Sequence, residues 1–233
     1  MLVRRLVTDR GATYHGQARR PADLVRHDLL RVPRRRPDLP TSGWSRFGVE
    51  RSEKISSVAT LFLMVGLPGA GKTMQAKSLA AGHAALRLSP DAWMIPLFGE
   101  PEAGGKRDVL EGRLIWLALE ALGLGTNVVL DFGFWGRDER SSLRWLARSA
   151  GASCQVVYVP VDRAAQIERI QHRWTRTPDE TFVMTEADLD RWRTQFDVPD
   201  AAELEGGEVA DPPPGWSSWS QWAAERWPSL SDG

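Results

Sequence analysis

The sequence predicts a doubly wound α/β fold, in which a mainly parallel sheet of four to five strands carries helices on both faces. Two observations support this class. Short runs that are almost entirely apolar alternate with longer segments whose apolar residues recur every three or four positions. Strands without a polar face are typical of parallel sheets that are covered on both sides. The predicted strands are residues 60–65, 85–88, 126–130 and 154–159.

The helices follow from apolar periodicity and from capping residues. Asp162 can cap a helix that begins at Arg163, and Thr185-Glu186-Ala187-Asp188 resembles a capping box with Asp in place of Glu. The predicted helices are residues 74–81, 92–97, 107–122, 138–150, a segment from 163 onward and a segment from 186 that ends before 199. Residues 202–210 are the one candidate for a fifth strand, although they are weakly apolar.

The first predicted strand runs directly into the motif Gly66-Leu67-Pro68-Gly69-Ala70-Gly71-Lys72-Thr73. The spacing G-x-x-x-x-G-K-[ST] fixes four positions, so a chain of this length contains it by chance only about once in a hundred. Its glycines let successive N–H groups converge on a phosphate at the start of the next helix. We therefore expect a nucleotide triphosphate to bind all eight loop residues, with Lys72 on its β- and γ-phosphates and the Thr73 hydroxyl on Mg²⁺.

Charge is distributed unequally along the chain, although the formal net charge is zero. Residues 1–57 contain twelve Arg and one Lys against six acids, whereas the remainder contains 17 bases and 24 acids. We expect a disordered basic arm over residues 1–57, a domain over 58–200 and a Pro/Trp-rich tail over 201–233. Three explanations of the arm stay open: a tail for nucleic acid or an acidic partner, a transit peptide, and a segment without function. Nucleic acid is expected only through this arm, because the domain is mildly acidic.

Four tryptophans of the tail have the spacing of a short helix. They are Trp216, Trp219, Trp222 and Trp227. Two interpretations stay open. The indoles either cover an open edge of the core or form a patch for a partner.

Nothing in the sequence indicates secretion or a membrane. Cys154 is the only cysteine, which excludes an internal disulfide, and its apolar surroundings favour a buried reduced thiol. No run approaches about 18 apolar residues, and the amino terminus lacks a hydrophobic signal core. The histidines do not have metal-ligand spacing. We expect a cytoplasmic protein without a zinc site, and the sequence leaves the oligomeric state open.

Two carboxylates lie where the carboxyl ends of a parallel sheet open to a ligand. Asp91 comes just after the second predicted strand, in Leu88-Ser89-Pro90-Asp91, and can accept the proton of an acceptor hydroxyl. The alternative is that Asp91 caps the next helix. Asp131 ends the third predicted strand and is a candidate for holding Mg²⁺, usually through water.

Arg169, Arg173 and Arg176 are spaced four and three residues apart, so they share one face if the helix continues. Next to the polar segment 175–184, this face predicts a lid that closes over phosphates and neutralises charge in the transition state. Arg173 is its main candidate. The alternative is a solvated helix edge that pairs with acids such as Glu168.

These motifs together resemble the small P-loop kinases labelled AAA-type ATP-binding proteins or predicted kinases. That group is similar to chloramphenicol phosphotransferase, the kinase half of polynucleotide kinase and zeta toxin. The resemblance covers residues 58–199 and is carried by residues 66–73, Leu88-Ser89-Pro90-Asp91, Val128-Val129-Leu130-Asp131 and Glu168-Arg169 through Arg173. It implies a P-loop kinase fold, ATP with Mg²⁺, Asp91 as the base, and Arg173 and Arg169 on the ATP phosphates. The arm and the Trp-rich tail do not belong to the family pattern.

The resemblance places acceptor recognition after the second and third strands. Trp93, Phe132, Phe134 and Trp135 lie there and either stack on a planar or sugar acceptor or form core. Three functions stay open: a kinase for a hydroxyl of a small molecule or nucleotide, a nucleotide switch that hydrolyses ATP slowly, and a polynucleotide 5′-hydroxyl kinase that uses the arm.

Overall fold

Four parallel strands form the sheet of the computed structural model, which describes residues 58–100, 103–176 and 184–230 apart from the side chains of Arg173 and Trp174. The strands are β1 (Thr60–Val65), β2 (Leu86–Leu88), β3 (Val128–Gly133) and β4 (Ser153–Tyr158). Their order across the sheet is β2-β3-β1-β4. All four strands therefore have their carboxyl ends at the same edge of the sheet.

The helices connect and cover these strands. They are α1 (Lys72–Gly82), α2 (Asp91–Phe98), α3 (Lys106–Gly123), α4 (Arg137–Ser149), α5 (Arg163–Arg176), α6 (Glu186–Gln195), α7 (Ala201–Leu204) and α8 (Trp219–Arg226). The predicted capping box is confirmed, because Thr185 and Asp188 exchange side-chain-to-backbone hydrogen bonds of 3.0 and 3.2 Å. Over the described ranges, none of the helices combines the length and the apolarity needed to cross a membrane.

Alternate residues of β1 point to opposite faces of the sheet. Leu61, Leu63 and Val65 join a core with α3, α4 and α8, whereas Phe62 and Met64 join a smaller core with α1. All five are almost inaccessible to solvent. Burial on both faces explains why this strand is continuously apolar, and it confirms the doubly wound α/β class.

One predicted strand end and one candidate strand differ from the structure. β3 extends through Asp131 to Gly133, because Gly133 still pairs with Val65 of β1 and Arg87 provides a partner for the carboxylate inside the strand. Residues 202–210 form no strand, since α7 occupies their start and irregular chain follows. The candidate fifth strand is therefore not formed in the described part of the chain, and the sheet has the lower of the two predicted strand numbers.

Cys154 lies in β4 and is partly buried against the larger core. Burial raises the pKa of its thiol to about 12. A thiol with so little thiolate at neutral pH is chemically inert, as expected for a structural cysteine.

The C-terminal tryptophans belong to the core. Trp219, Trp222 and Trp227 are 3, 6 and 0% exposed and pack with α3 and α4. The ring centroid of Trp222 lies 5.9 Å from that of Trp219 and 6.0 Å from that of Trp227, in edge-to-face contacts. Trp216 packs half-buried against the same core. These contacts favour the interpretation that the indoles complete the core.

Helix α3 packs closely against this C-terminal segment at Gly112. A Cβ atom at Gly112 would collide with Ser229 Oγ and would lie 3.3 Å from Trp227 Cβ. The neighbouring Glu111 is buried, and its Oε2 accepts a hydrogen bond of 3.2 Å from Trp227 Nε1. Burial raises the pKa of Glu111 to about 7, although the charges of Arg107 and Arg226 act in the opposite direction.

We expect Gly112→Ala to lower the free energy of unfolding by about 1–3 kcal/mol, because the added methyl group forces the C-terminal segment away from α3. Gly123→Ala is the control, since a Cβ at that end of α3 meets no atom within 4 Å. It should leave stability unchanged or raise it by up to about 1 kcal/mol. Urea denaturation measures both variants, and equal midpoints would contradict the close packing at Gly112.

The raised pKa of Glu111 predicts a pH-dependent contribution to stability. The folded chain retains the Glu111 proton up to its raised pKa of about 7, whereas the unfolded chain loses it near the ordinary value of 4.5, so this group's contribution to stability falls as pH rises between those values. Between pH 5 and 7.5 we expect wild type to lose about 2 kcal/mol more than Glu111→Gln does. Glu120→Gln changes an exposed carboxylate of the same helix and should follow wild type. Parallel wild-type and Glu111→Gln profiles in denaturant titrations would contradict the assignment.

Candidate functional site

The motif at residues 66–73, called the phosphate loop, comprises the connection between β1 and α1 and the first two residues of α1. Gly66 has a φ of 152°, and a Cβ there would lie 2.7 Å from the carbonyl oxygen of Val159, so only glycine fits at this point. Gly71, with a φ of 98°, turns the chain into α1. The loop therefore ends at a helix amino terminus, where N–H groups without intrahelical partners and the helix dipole favour an anion.

The side chain of Lys72 folds back from the start of α1 onto the phosphate loop. Its Nζ donates a hydrogen bond of 2.9 Å to the carbonyl oxygen of Leu67. A Cβ built on Gly133 would lie 3.6 Å from Lys72 Cε and 3.5 Å from Trp135 Nε1. The lysine, the loop and Trp135 thus meet at the carboxyl ends of β1 and β3. Thr73 follows in the first turn of α1 with its side chain exposed.

Helix α5 supports the loop from the opposite side through Gln166. The Gln166 side chain is fully buried. Its Nε2 donates a hydrogen bond of 2.9 Å to the carbonyl oxygen of Pro68. Its Oε1 accepts a hydrogen bond of 3.0 Å from Nε of Arg193 in α6. The predicted cap of α5 is also confirmed, because Asp162 accepts from Ala165 N at 2.8 Å, and this bond lowers the pKa of Asp162. Sequence reasoning missed Gln166 and Arg193, since a buried polar residue leaves no trace in apolar periodicity.

Of the two arginines predicted to bind the ATP phosphates, the structure describes the side chain of Arg169 but not that of Arg173. Arg169 Nη1 donates to the carbonyl oxygens of Gly69 and Ala70 at 3.3 and 3.1 Å, so this exposed residue of α5 lies directly on the loop. Arg173 lies one helical turn further on, but its side chain is outside the described residues. Most of the predicted lid segment is also outside them. The roles of both arginines toward phosphates stay predictions.

Asp131 lies on β3 and is held by Arg87 of β2. Arg87 Nε and Nη2 donate to Asp131 Oδ2 at 3.1 and 2.7 Å, and Asp131 is only 5% exposed. Alternation along the strand places Asp131 on the same face as Val129, which α1 covers. Both of these bonds use Oδ2 of the carboxylate. A carboxylate oxygen together with the Thr73 hydroxyl suits Mg²⁺, which prefers oxygen ligands.

Asp91 is the first residue of α2, and Pro90 occupies the cap position. The alternative that Asp91 caps this helix is therefore wrong. Its side chain is 77% exposed, and Oδ1 accepts from Arg107 Nη2 at 2.9 Å. Arg107 is 14% exposed and also donates from Nε to Glu111 Oε1 at 3.1 Å. Asp91 is thus an accessible carboxylate beyond the carboxyl end of β2, oriented by an arginine.

The loop after β3 is strained and is held by a buried ion pair. Phe134 has a φ of 28°, a left-handed value that residues with side chains rarely adopt. Arg140 Nη1 donates to the carbonyl oxygens of Phe134 and Trp135 at 3.3 and 3.1 Å. Its Nε and Nη2 donate to the Glu203 carboxylate at 2.8 and 3.0 Å, and both side chains are at most 2% exposed. This pair keeps Trp135 beside the phosphate loop.

The aromatic residues proposed for acceptor recognition fall into two groups. Phe134 is 5% exposed and stacks on Phe132 at a centroid distance of 5.1 Å, so these two side chains pack in the hydrophobic core. Trp93 is 44% exposed on α2. Trp135 contacts Trp192 of α6, with ring centroids 5.9 Å apart and planes inclined by 56°. Trp192 is distant in sequence, and no local pattern predicts that it meets Trp135.

Comparison with known proteins identifies both a family and similar folds. A family profile described as an AAA domain, AAA_33, matches residues 61–199. A proposed kinase from Chloroflexus aurantiacus is 21% identical, with 67% of this chain and 86% of that chain covered and a TM-score of 0.51. Kti12 from Chaetomium thermophilum, solved with ADP-AlF3, is 17% identical, with 73% and 99% covered and a TM-score of 0.50. A chain of the Pnkp1/Rnl/Hen1 RNA repair complex is 17% identical, with 59% and 44% covered and a TM-score of 0.48. No curated protein matches the chain.

The profile covers more than half of the chain and includes the phosphate loop, Asp91, Asp131 and α5. The structural similarities are at most 21% identical and concern the fold alone. The resemblance inferred from the sequence motifs is confirmed: the chain belongs to the AAA domain family AAA_33 and has an α/β P-loop kinase-like fold.

Proposed function

We propose that this protein is a kinase that transfers the γ-phosphoryl group of ATP to a hydroxyl of a small molecule or nucleotide. The position of Asp91 carries the proposal, because this accessible carboxylate follows β2 at the edge of the sheet that also holds the phosphate loop. Ligands of open parallel sheets bind outside that edge. Besides a magnesium ligand, a kinase needs a group that orients and deprotonates the acceptor hydroxyl.

On the donor side, the N–H groups of residues 66–73 and the charge of Lys72 would bind the phosphates. Lys72 would leave the Leu67 carbonyl for phosphate oxygens, because charged acceptors form the stronger hydrogen bonds. Arg169 and Arg173 are assigned to the same phosphates. Thr73 and Asp131 would hold Mg²⁺, which when bound neutralises charge on the phosphate oxygens.

On the acceptor side, the acceptor oxygen bonds to the γ-phosphorus while the bond to the bridging β–γ oxygen breaks and ADP leaves. Asp91 accepts the proton of the hydroxyl, and Lys72 with the arginines stabilises the charge on the transferring group. Such transfer needs little covalent chemistry from the protein. Positioning and charge neutralisation therefore supply most of the catalysis.

Trp135 and Trp192 suggest the class of acceptor. Their indoles form a pair beside Lys72, and Trp135 is fixed there by Arg140. Indole faces pack well against sugar rings and planar bases. A ring-bearing acceptor therefore fits this wall better than a linear polyol does.

A second function is slow ATP hydrolysis by a nucleotide switch without an acceptor. The ion pair between Asp91 and Arg107 favours it, because an aspartate with a structural partner need not be a base. The polynucleotide 5′-hydroxyl kinase depends instead on residues 1–57, which lie outside the described residues.

Asp91→Asn separates the first two functions. We expect the variant to bind a fluorescent ATP analogue like wild type and to lose about 10²–10⁴-fold in transfer of label from γ-labelled ATP to a pool of hydroxylated metabolites, because the proton acceptor is absent. Asp211→Asn, which changes an exposed tail residue, should keep the wild-type rate. Equal transfer by wild type and Asp91→Asn, with only slow phosphate release, would favour the switch.

Trp192→Leu tests the acceptor wall. We expect acceptors with sugar or base rings to be preferred over linear polyols, and the variant to raise the acceptor KM about tenfold with unchanged ATP affinity, because one stacking surface is lost. Trp116→Leu replaces an exposed indole on α3 and should leave both constants unchanged. Initial rates against acceptor concentration measure the effect. A preference for linear polyols would overturn the ring-bearing class.

A further inference from the structure

The C-terminal helix is connected to Asp91 through side chains that the proposed mechanism does not use. We propose that Arg226 and Trp227, called here the C-terminal clasp, position Asp91 toward the acceptor. The inference rests on the proposed function, since it gives Asp91 the same role. The clasp lies outside the part of the chain that matches the family profile, which ends at residue 199.

The clasp is itself firmly held. Trp227 is fully buried and its indole N–H donates to Glu111 Oε2 at 3.2 Å. Arg226 Nη1 donates to Asp108 Oδ1 at 2.7 Å, and its Nε donates to Glu139 Oε1 at 3.0 Å. Arg226 Nη2 lies 4.0 Å from Glu111 Oε2. Helices α3, α4 and α8 are therefore joined around one guanidinium group and one indole.

Glu111 links the clasp to Arg107, because its two carboxylate oxygens face different partners. Oε2 faces the clasp, whereas Oε1 accepts from Arg107 Nε at 3.1 Å. Nη2 of the same guanidinium donates to Asp91 Oδ1 at 2.9 Å. A guanidinium group is planar, so fixing Nε also directs Nη2. Asp91 is 77% exposed and would sample several rotamers without this contact.

Loss of the clasp would change how Arg107 is shared between two carboxylates. Above the pKa of Glu111, its ionised and buried carboxylate needs donors on both oxygens. Arg226 Nη2 lies too far from Glu111 for a hydrogen bond, so without the Trp227 N–H the side-chain donor left to Glu111 among the described residues is Arg107. Bidentate pairing with Glu111 would then draw Nη2 away from Asp91. The effect falls on the acceptor side, while the phosphate loop keeps its own contacts to α5.

The test compares Trp227→Phe with Trp219→Phe in the full chain. Both substitutions keep a buried ring in the same segment and remove one indole hydrogen bond, to Glu111 at 3.2 Å or to the Ala210 carbonyl at 2.8 Å. Each variant is assayed for label transfer from γ-labelled ATP to pooled hydroxylated metabolites and for affinity for a fluorescent ATP analogue. Both are also made in the Asp91→Asn background.

We expect Trp227→Phe to transfer label about tenfold more slowly than Trp219→Phe, with equal ATP affinities, because only the first disturbs Asp91. In the Asp91→Asn background, Trp227→Phe should cost no further rate. Equal transfer rates for the two variants would overturn the proposed role of the clasp. So would an equal loss of rate on Trp227→Phe in the wild-type and Asp91→Asn backgrounds. Neither result would contradict the kinase proposal. If Asp91→Asn alone transfers label like wild type, the proposed function fails and the clasp fails with it.

Discussion

The site depends on the parallel pairing of β1 with β3. In that register Leu63 lies opposite Leu130 and Val65 lies opposite Gly133, so the phosphate loop and the loop after β3 leave the sheet side by side. The N–H of Gly66 then donates to Gly133 O at 3.3 Å. A shift by one residue would move Asp131 to the opposite face of the sheet, away from α1. The buried side chains on both faces of β1 prevent such a shift, so the core fixes the site.

Arginines donate hydrogen bonds to the loops and carboxylates at this edge of the sheet. Loops carry carbonyl groups that no strand or helix satisfies, and one guanidinium group can donate to several of them. Arg169 does so for the phosphate loop and Arg140 for the loop after β3. Arg87 and Arg107 serve the carboxylates of Asp131 and Asp91 in the same way.

The fold and the identity of the phosphate loop could be predicted because both are local. Apolar runs and capping residues are read over a few positions, and the motif at residues 66–73 contains its own strand and helix context. The partners of the site could not be predicted. Gln166 meets Pro68 from a distance of 98 residues, and Glu203 meets Arg140 from 63 residues away. Asp131 shows the same limit, since Arg87 on another strand lets β3 continue past a carboxylate that local reasoning treats as an end.

The segment that resembles a weak fifth strand has another use in the fold. β4 is an edge strand, and an uncovered edge invites pairing with other chains. Helix α7 packs against β4, while Arg144 and Arg148 donate to the Gly207 carbonyl, both at 2.6 Å. The glycines that argue against a strand therefore suit a turn whose carbonyls accept from α4. The same segment brings Glu203 of α7 to Arg140 and leads the chain toward the tryptophans of the core.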